Sequence, residues 1–348
     1  MPRPGAPWPP RMRLLFDPHL VNGPFGDPGL FVDCRDERRA LLFDLGDLRA
    51  LPPRKLLRVS HAFVSHTHMD HFAGFDELLR VVLGRKPHLT LVGGPGFVDQ
   101  VEHKLRAYAW NVVHRYEVEL VLEAISVAPD GGGERARFSS RTAFARDDLP
   151  PFRWAGDVLL DAALFRVRAR FVDHGIPCLA FALEEKARVK LDKTRLDALG
   201  LSTGAWLRTL KQAVLTDAPD DTPIDIEWRD GTGTHRTTRP LAALREVVLA
   251  IAPGQRIGYV TDLRHTAANL EQLEALLAGV DRLYIEAVFL HADLEHAQRK
   301  HHLTARQAGE IARAVGAHGV VPFHFSPRYT GHPELLEREV VAAWSASC

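Results

Sequence analysis

Ser65-His66-Thr67-His68-Met69-Asp70-His71 decides how this 348-residue chain is read. Three histidines and an aspartate crowd into residues 66–71, directly after the apolar run Ala62-Phe63-Val64. That run predicts a strand, and the cluster then lies on the loop leaving its end. Imidazole and carboxylate are the side chains that suit zinc and similar divalent ions. One loop can turn His66 and His68 toward one ion while Asp70 and His71 face a second, which marks the chain as a candidate binuclear metallohydrolase. A His-rich surface loop is the plainer alternative. The strand before the cluster and the helical pattern after it argue against that alternative.

Working outward, Gly29 to Asp33, Ala40 to Asp44 and His61 to Ser65 read as strands between turns. Phe75, Leu78, Leu79 and Val82 recur at helical spacing and predict a helix over Phe72 to Leu83. Thr90 to Val92 reads as a strand and Val98 to Asn111 as a helix. Gly93-Gly94-Pro95-Gly96 lacks the Lys-Ser/Thr ending of a phosphate loop and reads as a turn. Asp130 to Gly133 predicts a flexible loop. Val158 to Val172 has strand character, with Arg166, Arg168 and Arg170 alternating. Lys186 to Asp221 is more polar and breaks the strand rhythm, so 186–221 is expected to be an inserted arm. Its basic residues include Lys186, Arg188, Lys190, Lys193, Arg195, Arg208 and Lys211. Strands return at Ile257 to Val260, Arg282 to Phe289 and Gly319 to Phe325. Helices are expected over Ala267 to Ala278 and Thr304 to Val315, the second opened by the capping-box pair Thr304 and Gln307.

Hydrophobic residues make up 46% and charged residues 25%, the composition of a globular protein. Lys+Arg and Asp+Glu are both 44, so no global basic field draws in nucleic acid, and such binding needs a local patch. Cys34, Cys178 and Cys348 form no CxxC pair, so neither a thiolate zinc site nor a disulfide framework is indicated. A reducing cytoplasm fits that usage. No apolar run approaches membrane-spanning length. The Pro-rich start MPRPGAPWPPRMR lacks a signal-peptide core. Residues 1–13 read as a disordered lead-in, with Met12 an alternative start, and 14–348 as a single domain.

Two ions need more ligands than one loop offers. His174 follows Phe171-Val172-Asp173, Asp262 follows Ile257 to Thr261, and His324 follows Gly319 to Phe323. Each sits at the end of a strand-like run, and ligands in layered sheets gather at one rim.

The pattern His66-x-His68-x-Asp70-His71 resembles the signature of the metallo-β-lactamase superfamily, and the branch matched best is ribonuclease Z. Asp173-His174-Gly175-Ile176-Pro177, Gly258 to Asp262, Ile285 to Phe289, His302-Leu303-Thr304-Ala305 and His324 to Tyr329 resemble that branch's further motifs, in the same order. The resemblance implies an α/β fold, a four-layer αββα sandwich with the site at one edge of the two sheets. It implies one ion held by His66, His68 and His174, a second by Asp70, His71 and His324, and Asp262 bridging both. The ions are expected to be zinc, with manganese or iron also fitting these donors.

Such a site implies a metal-bound hydroxide attacking phosphorus, with Asp70 accepting its proton and His302, not a ligand, protonating the leaving oxygen or stabilising phosphate charge. Arg328 either pairs with a substrate phosphate or with a structural carboxylate such as Glu286. The expected activity is a ribonuclease Z-like phosphodiesterase acting on precursor tRNA, other RNA or a smaller diester. The resemblance also suggests a homodimer. Competing readings are a same-fold hydrolase of a lactone, thioester or β-lactam, and a non-catalytic scaffold that kept the ligands. Two stretches depart from the family pattern. Asn22 to Gly29 replaces the usual opening Gly-Thr-Gly turn, and Leu199 to Leu207 lacks the Gly-Pro pair of the tRNA-gripping arm.

Overall fold

The structure is a computed structural model that describes residues 14–35, 37–154, 156–231 and 233–346. The expected lead-in, its alternative start Met12, and Cys348 lie outside the described residues. The described chain divides into two compact units, the second made of Leu160–Arg166 and Leu183–Gln255.

The first unit is built on two sheets. An eight-stranded sheet follows chain order from Phe16–Leu20 to Arg146–Arg153. Its middle strands, Arg39–Phe43, Val59–Phe63, His88–Gly93 and Val121–Val127, pair in parallel. Its outer strands pair antiparallel. In the second sheet, Arg256–Val260, Arg282–Glu286 and Val320–Phe323 also run parallel. Next to Arg256–Val260 comes Pro177–Glu185, then Phe165–Asp173 and Val158–Asp161.

Side chains alternate across each strand, and that alternation builds the layers. In Arg39–Phe43, Ala40 and Leu42 face a core shared with helices Phe75–Val82 and Phe97–Arg106. Phe43 points the other way, within 5.3–6.0 Å of the Phe63, Phe181 and Tyr259 rings. Phe63 and Tyr259 belong to different sheets, so this aromatic cluster is the seam between them. On the far side, Val260, Leu283, Ile285 and Val320 pack against helices Ala267–Leu277, Ala305–Ala314 and Pro333–Trp344. Helix, sheet, sheet, helix is the expected αββα order. Burying each such Leu or Phe contributes about 2 kcal/mol, so the layering rests on apolar burial.

The expected elements shift at several borders. The helix over Phe72 to Leu83 is two pieces, a single turn Met69–Phe72 and the helix Phe75–Val82. Gly74 separates them, and a Cβ there would lie 1.9 Å from the Gly46 carbonyl oxygen. The helix from Val98 stops at Arg106 rather than Asn111, where Trp110 donates its indole N–H to the Leu105 carbonyl. Asp130 to Gly133 is a tight hairpin connection, and the strand Gly132–Ser139 begins inside it. Val158 to Val172 is two strands, Val158–Asp161 and Phe165–Asp173. The predicted capping box of Thr304 and Gln307 is formed.

The second unit contains residues 186–221 and extends well beyond them. A strand Arg188–Leu191 pairs antiparallel with Val248–Ala252, and Pro223–Asp230 forms a hairpin with Gly233–Pro240. Helices Lys193–Ala198 and Trp206–Leu215 pack their Leu196, Trp206 and Leu210 on Ile224, Ile226 and Leu244 as a separate core. Among the described residues no helix is long and apolar enough to cross a membrane.

Candidate metal centre

Every predicted ligand lies in the first unit, at the ends of strands. The loop Ser65 to His71 leaves Val59–Phe63. His68 is extended and starts the turn Met69–Phe72, which throws Asp70 and His71 to one side. Asp262 follows Arg256–Val260 and His324 follows Val320–Phe323. Both adopt left-handed backbone, with φ of 47° and 59°, as does Asp44 at 60°. Non-glycine residues rarely hold that conformation, and such strain concentrates at functional sites. His174 sits between Phe165–Asp173 and Pro177–Glu185, next to Gly175 at φ 89°.

Asp262 is the hub. Its Oδ2 lies 3.6 Å from His66 Nε2 and 3.4 Å from His174 Nε2. Its Oδ1 lies 3.5 Å from His71 Nε2 and 3.1 Å from His324 Nδ1. Asp70 Oδ2 is 3.6 Å from His71 Nε2 and 3.3 Å from His324 Nε2. The ring of His68, the most exposed of the set, stands 4.3 Å from that of His66 and 5.3 Å from that of His174. Three overlapping groups have ligand atoms mutually close enough for an ion. They are His66, His68, His174 and Asp262; Asp70, His71 and His324; and Asp262, Glu286, His302 and His324.

The far sides of the rings are tied down. His71 Nδ1–H donates to Asp44 Oδ2 at 2.9 Å. Ser65 donates its hydroxyl to the same oxygen at 3.0 Å and stands 3.1 Å from His66 Nδ1. Since that hydroxyl proton is committed to Asp44, His66 Nδ1–H is the donor to Ser65 Oγ. His174 Nδ1–H donates to the His301 carbonyl at 2.9 Å. Each bond leaves an Nε2 lone pair facing the centre, and outer hydrogen bonds of this kind set ligand tautomers in metal sites. His66 Nε2, His71 Nε2 and His324 Nδ1 are buried without a hydrogen-bond partner. Partnerless buried nitrogens around two carboxylates are costly, and divalent cations suit the mixed N/O donor set.

Electrostatics point the same way. Burial, with His71 next, holds the His66 imidazolium down to about 2, so this ring is neutral. Burial also works against a charged His71, yet Asp262 and Asp44 together raise it to about 10, so without a cation a proton takes the Nε2 lone pair that an ion would otherwise claim. Burial opposes ionisation of Asp70, and the His324 hydrogen bond overcomes it to hold the carboxyl down to about 2. Asp262 lies well below the carboxylate range despite its burial, held there chiefly by His71 and His324. The carboxylates stay charged and await positive partners.

His302 stands beside this cluster, its ring 5.0 Å from that of His174 and 5.7 Å from that of His324. Its Nδ1–H donates to Glu286 Oε2 at 2.7 Å. Glu286 is fully buried, and its Oε1 accepts the backbone N–H groups of Leu263 and Leu303. Burial disfavours a charged His302, but the Glu286 carboxylate raises its pKa. Arg328 meets neither Glu286 nor the ligands. Its guanidinium pairs with Asp293 at 2.9 Å, and Asp293 also accepts from the Tyr329 hydroxyl. Asp44 and the Glu286–His302 pair were not anticipated. For Asp44 a signal existed, since Ala40-Leu41-Leu42-Phe43-Asp44 ends an apolar strand on a carboxylate, as Asp262 does.

The profile of the beta-lactamase superfamily domain matches residues 221–325. Ribonuclease Z of Deinococcus radiodurans is 33% identical over 317 residues, 89% of this chain and 90% of that protein. The chain belongs to the ribonuclease Z family. Ribonuclease Z of Treponema pallidum is 25% identical and covers 86% of the chain and 82% of its own length. Among solved structures, human tRNase Z, short form, superposes with a TM-score of 0.52 at 17% identity, covering 90% of this chain and 92% of that one. The fold is that of the metallo-β-lactamase superfamily.

Proposed function

We propose that this ribonuclease Z family member is a binuclear metal-dependent phosphodiesterase that cuts RNA, with precursor tRNA as the leading substrate. As a member of the family the chain is a metal-dependent hydrolase. The observation that carries the finer reading is the convergence of His66, His71, His174 and His324 nitrogens on Asp262, three of those nitrogens being buried without a hydrogen-bond partner. His66, His68 and His174 are assigned to one ion, Asp70, His71 and His324 to the other, and Asp262 to both. Bound ions, zinc by the donor set, supply a nucleophilic water near neutral pH and stabilise phosphate charge.

The chain's own residues do the rest. Asp70, 41% exposed at the side chain, is free on its outer oxygen to take a proton from the attacking water. His302, oriented through Nδ1 by Glu286, keeps Nε2 to donate a proton to the departing ribose oxygen. The second unit, with Lys190, Lys193 and Lys211 among its basic residues, is assigned to gripping the RNA backbone. Cys34 and Cys178 are free thiols that fit a cytoplasmic setting.

Purified protein with zinc or manganese is expected to remove the 3′ trailer of a precursor tRNA and to hydrolyse bis-p-nitrophenyl phosphate. Turnover of neither, alongside turnover of a lactone or thioester, overturns the proposal in favour of a carbonyl hydrolase.

A further inference from the structure

A groove of about 720 Å³ in the first unit has Trp154, Phe171, Ile176, Arg170, Gln272 and Asn269 among its lining residues. The proposed metal reaction uses none of them. Asp173 and Gly175, the two neighbours of His174, also line it, so the groove opens directly beside the ligand cluster. Its volume suits a small planar group rather than a folded partner.

Its chemistry is aromatic and amide-rich. The Trp154 and Phe171 rings meet edge to face at 6.0 Å, and Ile176 is 40% exposed beside them. Arg170 Nη1 donates to Gln272 Oε1 at 3.0 Å. A guanidinium only donates, so this bond fixes the amide orientation and leaves the Gln272 N–H groups for an acceptor on a ligand. Arg170 Nε is buried without a hydrogen-bond partner, 3.8 Å from the nearest Asp157 oxygen. Asn269 braces the wall against the ligand cluster, accepting from the Asp173 N–H and donating to the Asp173 carbonyl. The lining sets the single guanidinium of Arg170 beside two carboxylates, Asp157 and Asp173, so phosphate attraction is not what distinguishes the groove. Half-buried rings lining an open groove beside a fixed amide edge suit an unpaired nucleobase, which stacks through its π-face and accepts hydrogen bonds at its edge.

We infer that this groove is a nucleobase subsite: it stacks the unpaired base of a nucleotide adjoining the scissile phosphate against Trp154 and Phe171. The inference rests on reading the adjacent centre as an RNA phosphodiesterase. The test measures affinity of the full-length chain for a short single-stranded RNA, in chelator so that cleavage does not intervene. An abasic nucleotide is scanned along that RNA. Wild type is expected to lose about ten- to one-hundredfold in affinity when one particular base is removed. W154A is expected to bind the intact RNA about as weakly and to ignore the abasic site, while W154F restores the discrimination. A thermal melt checks that W154A folds, and F171L serves if it does not. Equal affinity of wild type for intact and all abasic RNAs overturns the subsite, as does full discrimination by W154A. The two readings fail separately. A protein that cleaves precursor tRNA but ignores every missing base loses the subsite only. One that senses a base through Trp154 yet hydrolyses no phosphodiester loses the catalytic reading only.

Discussion

Replacing Asp44 by Asn should weaken metal binding although Asp44 touches no ion in the proposed arrangement. The carboxylate is fully buried and collects four donors. Oδ1 accepts the Ser65 N–H at 2.7 Å. Oδ2 accepts Ser65 Oγ–H at 3.0 Å, His71 Nδ1–H at 2.9 Å and the Tyr259 hydroxyl at 2.9 Å. Asparagine keeps the first contact but turns an NH₂ toward the other three donors. The hydroxyls can rotate; His71 must move its proton to Nε2, the atom that faces Asp262. That removes one ligand lone pair and releases His66 from the Ser65 relay. Loss of such an outer contact costs about 10–100-fold in metal affinity. A charge-assisted bond lost and a buried donor left unmet also cost the fold about 3 kcal/mol. Competition with a chelating dye reads the first effect, and a denaturant melt of metal-free protein reads the second. Wild-type metal affinity in D44N, with the stability loss present, would refute the tautomer argument; wild-type values for both would refute the hydrogen-bond network itself.

Other changes separate roles within the molecule. H68A should lower metal content and turnover together, whereas H302A should lower turnover by about 10²–10⁴-fold with metal retained, as read by metal analysis beside a phosphodiester assay; equal metal loss in both would show His302 to be a ligand. His61, away from the centre, is held down to about 4 by burial, with Arg39 second. Its folded value lies below the unfolded value of 6.5, so the unfolded chain binds the extra proton first as pH falls. Its contribution is therefore present above pH 6.5 and lost as pH drops toward 4. After allowance for partial exposure this amounts to about 1–2 kcal/mol. H61Q should flatten that part of the stability–pH curve, and an unchanged slope would count against it. G309A should destabilise by about 1–3 kcal/mol, because its Cβ would lie 2.3 Å from the Val340 carbonyl oxygen between two packed helices. A thermal melt checks it.

The comparison of sequence with structure shows which physics a linear pattern carries. His174, Asp262 and His324 were legible as candidates because each ends an apolar run, and the parallel strands Arg256–Val260 and Val320–Phe323 carry two of them to one rim. Apolar spacing showed only that strands and helices alternate; the αββα order came from the resemblance to the metallo-β-lactamase superfamily. Asp44 and the Glu286–His302 pair were hidden for a different reason. Their role is to point another side chain, and that depends on ring orientation and on which nitrogen holds the proton. Neither quantity has a sequence period. The left-handed turns at Asp44, Asp262 and His324 were invisible too, since no glycine marks them. Of the two roles left open for Arg328, a substrate phosphate or a structural carboxylate such as Glu286, the structure shows a carboxylate contact, but with Asp293, which lies on a separate turn that the motif does not reveal.

The same distinction explains why the second unit was drawn too narrowly. The expected arm ends at Asp221, but charge runs on through Arg229, Arg236 and Arg239, and so does the packing. Ile224 and Ile226 alternate with exposed residues along one hairpin strand and close the core begun by Leu196, Trp206 and Leu210. A charge run reports where a surface meets water. Only the partner of each apolar face reports where a folding unit stops, and here that partner lies past Asp221. Truncating at Asp221 would strip the apolar cover from Trp206 and Leu210, so a chain lacking 222–255 should expose that core and aggregate, as light scattering would read.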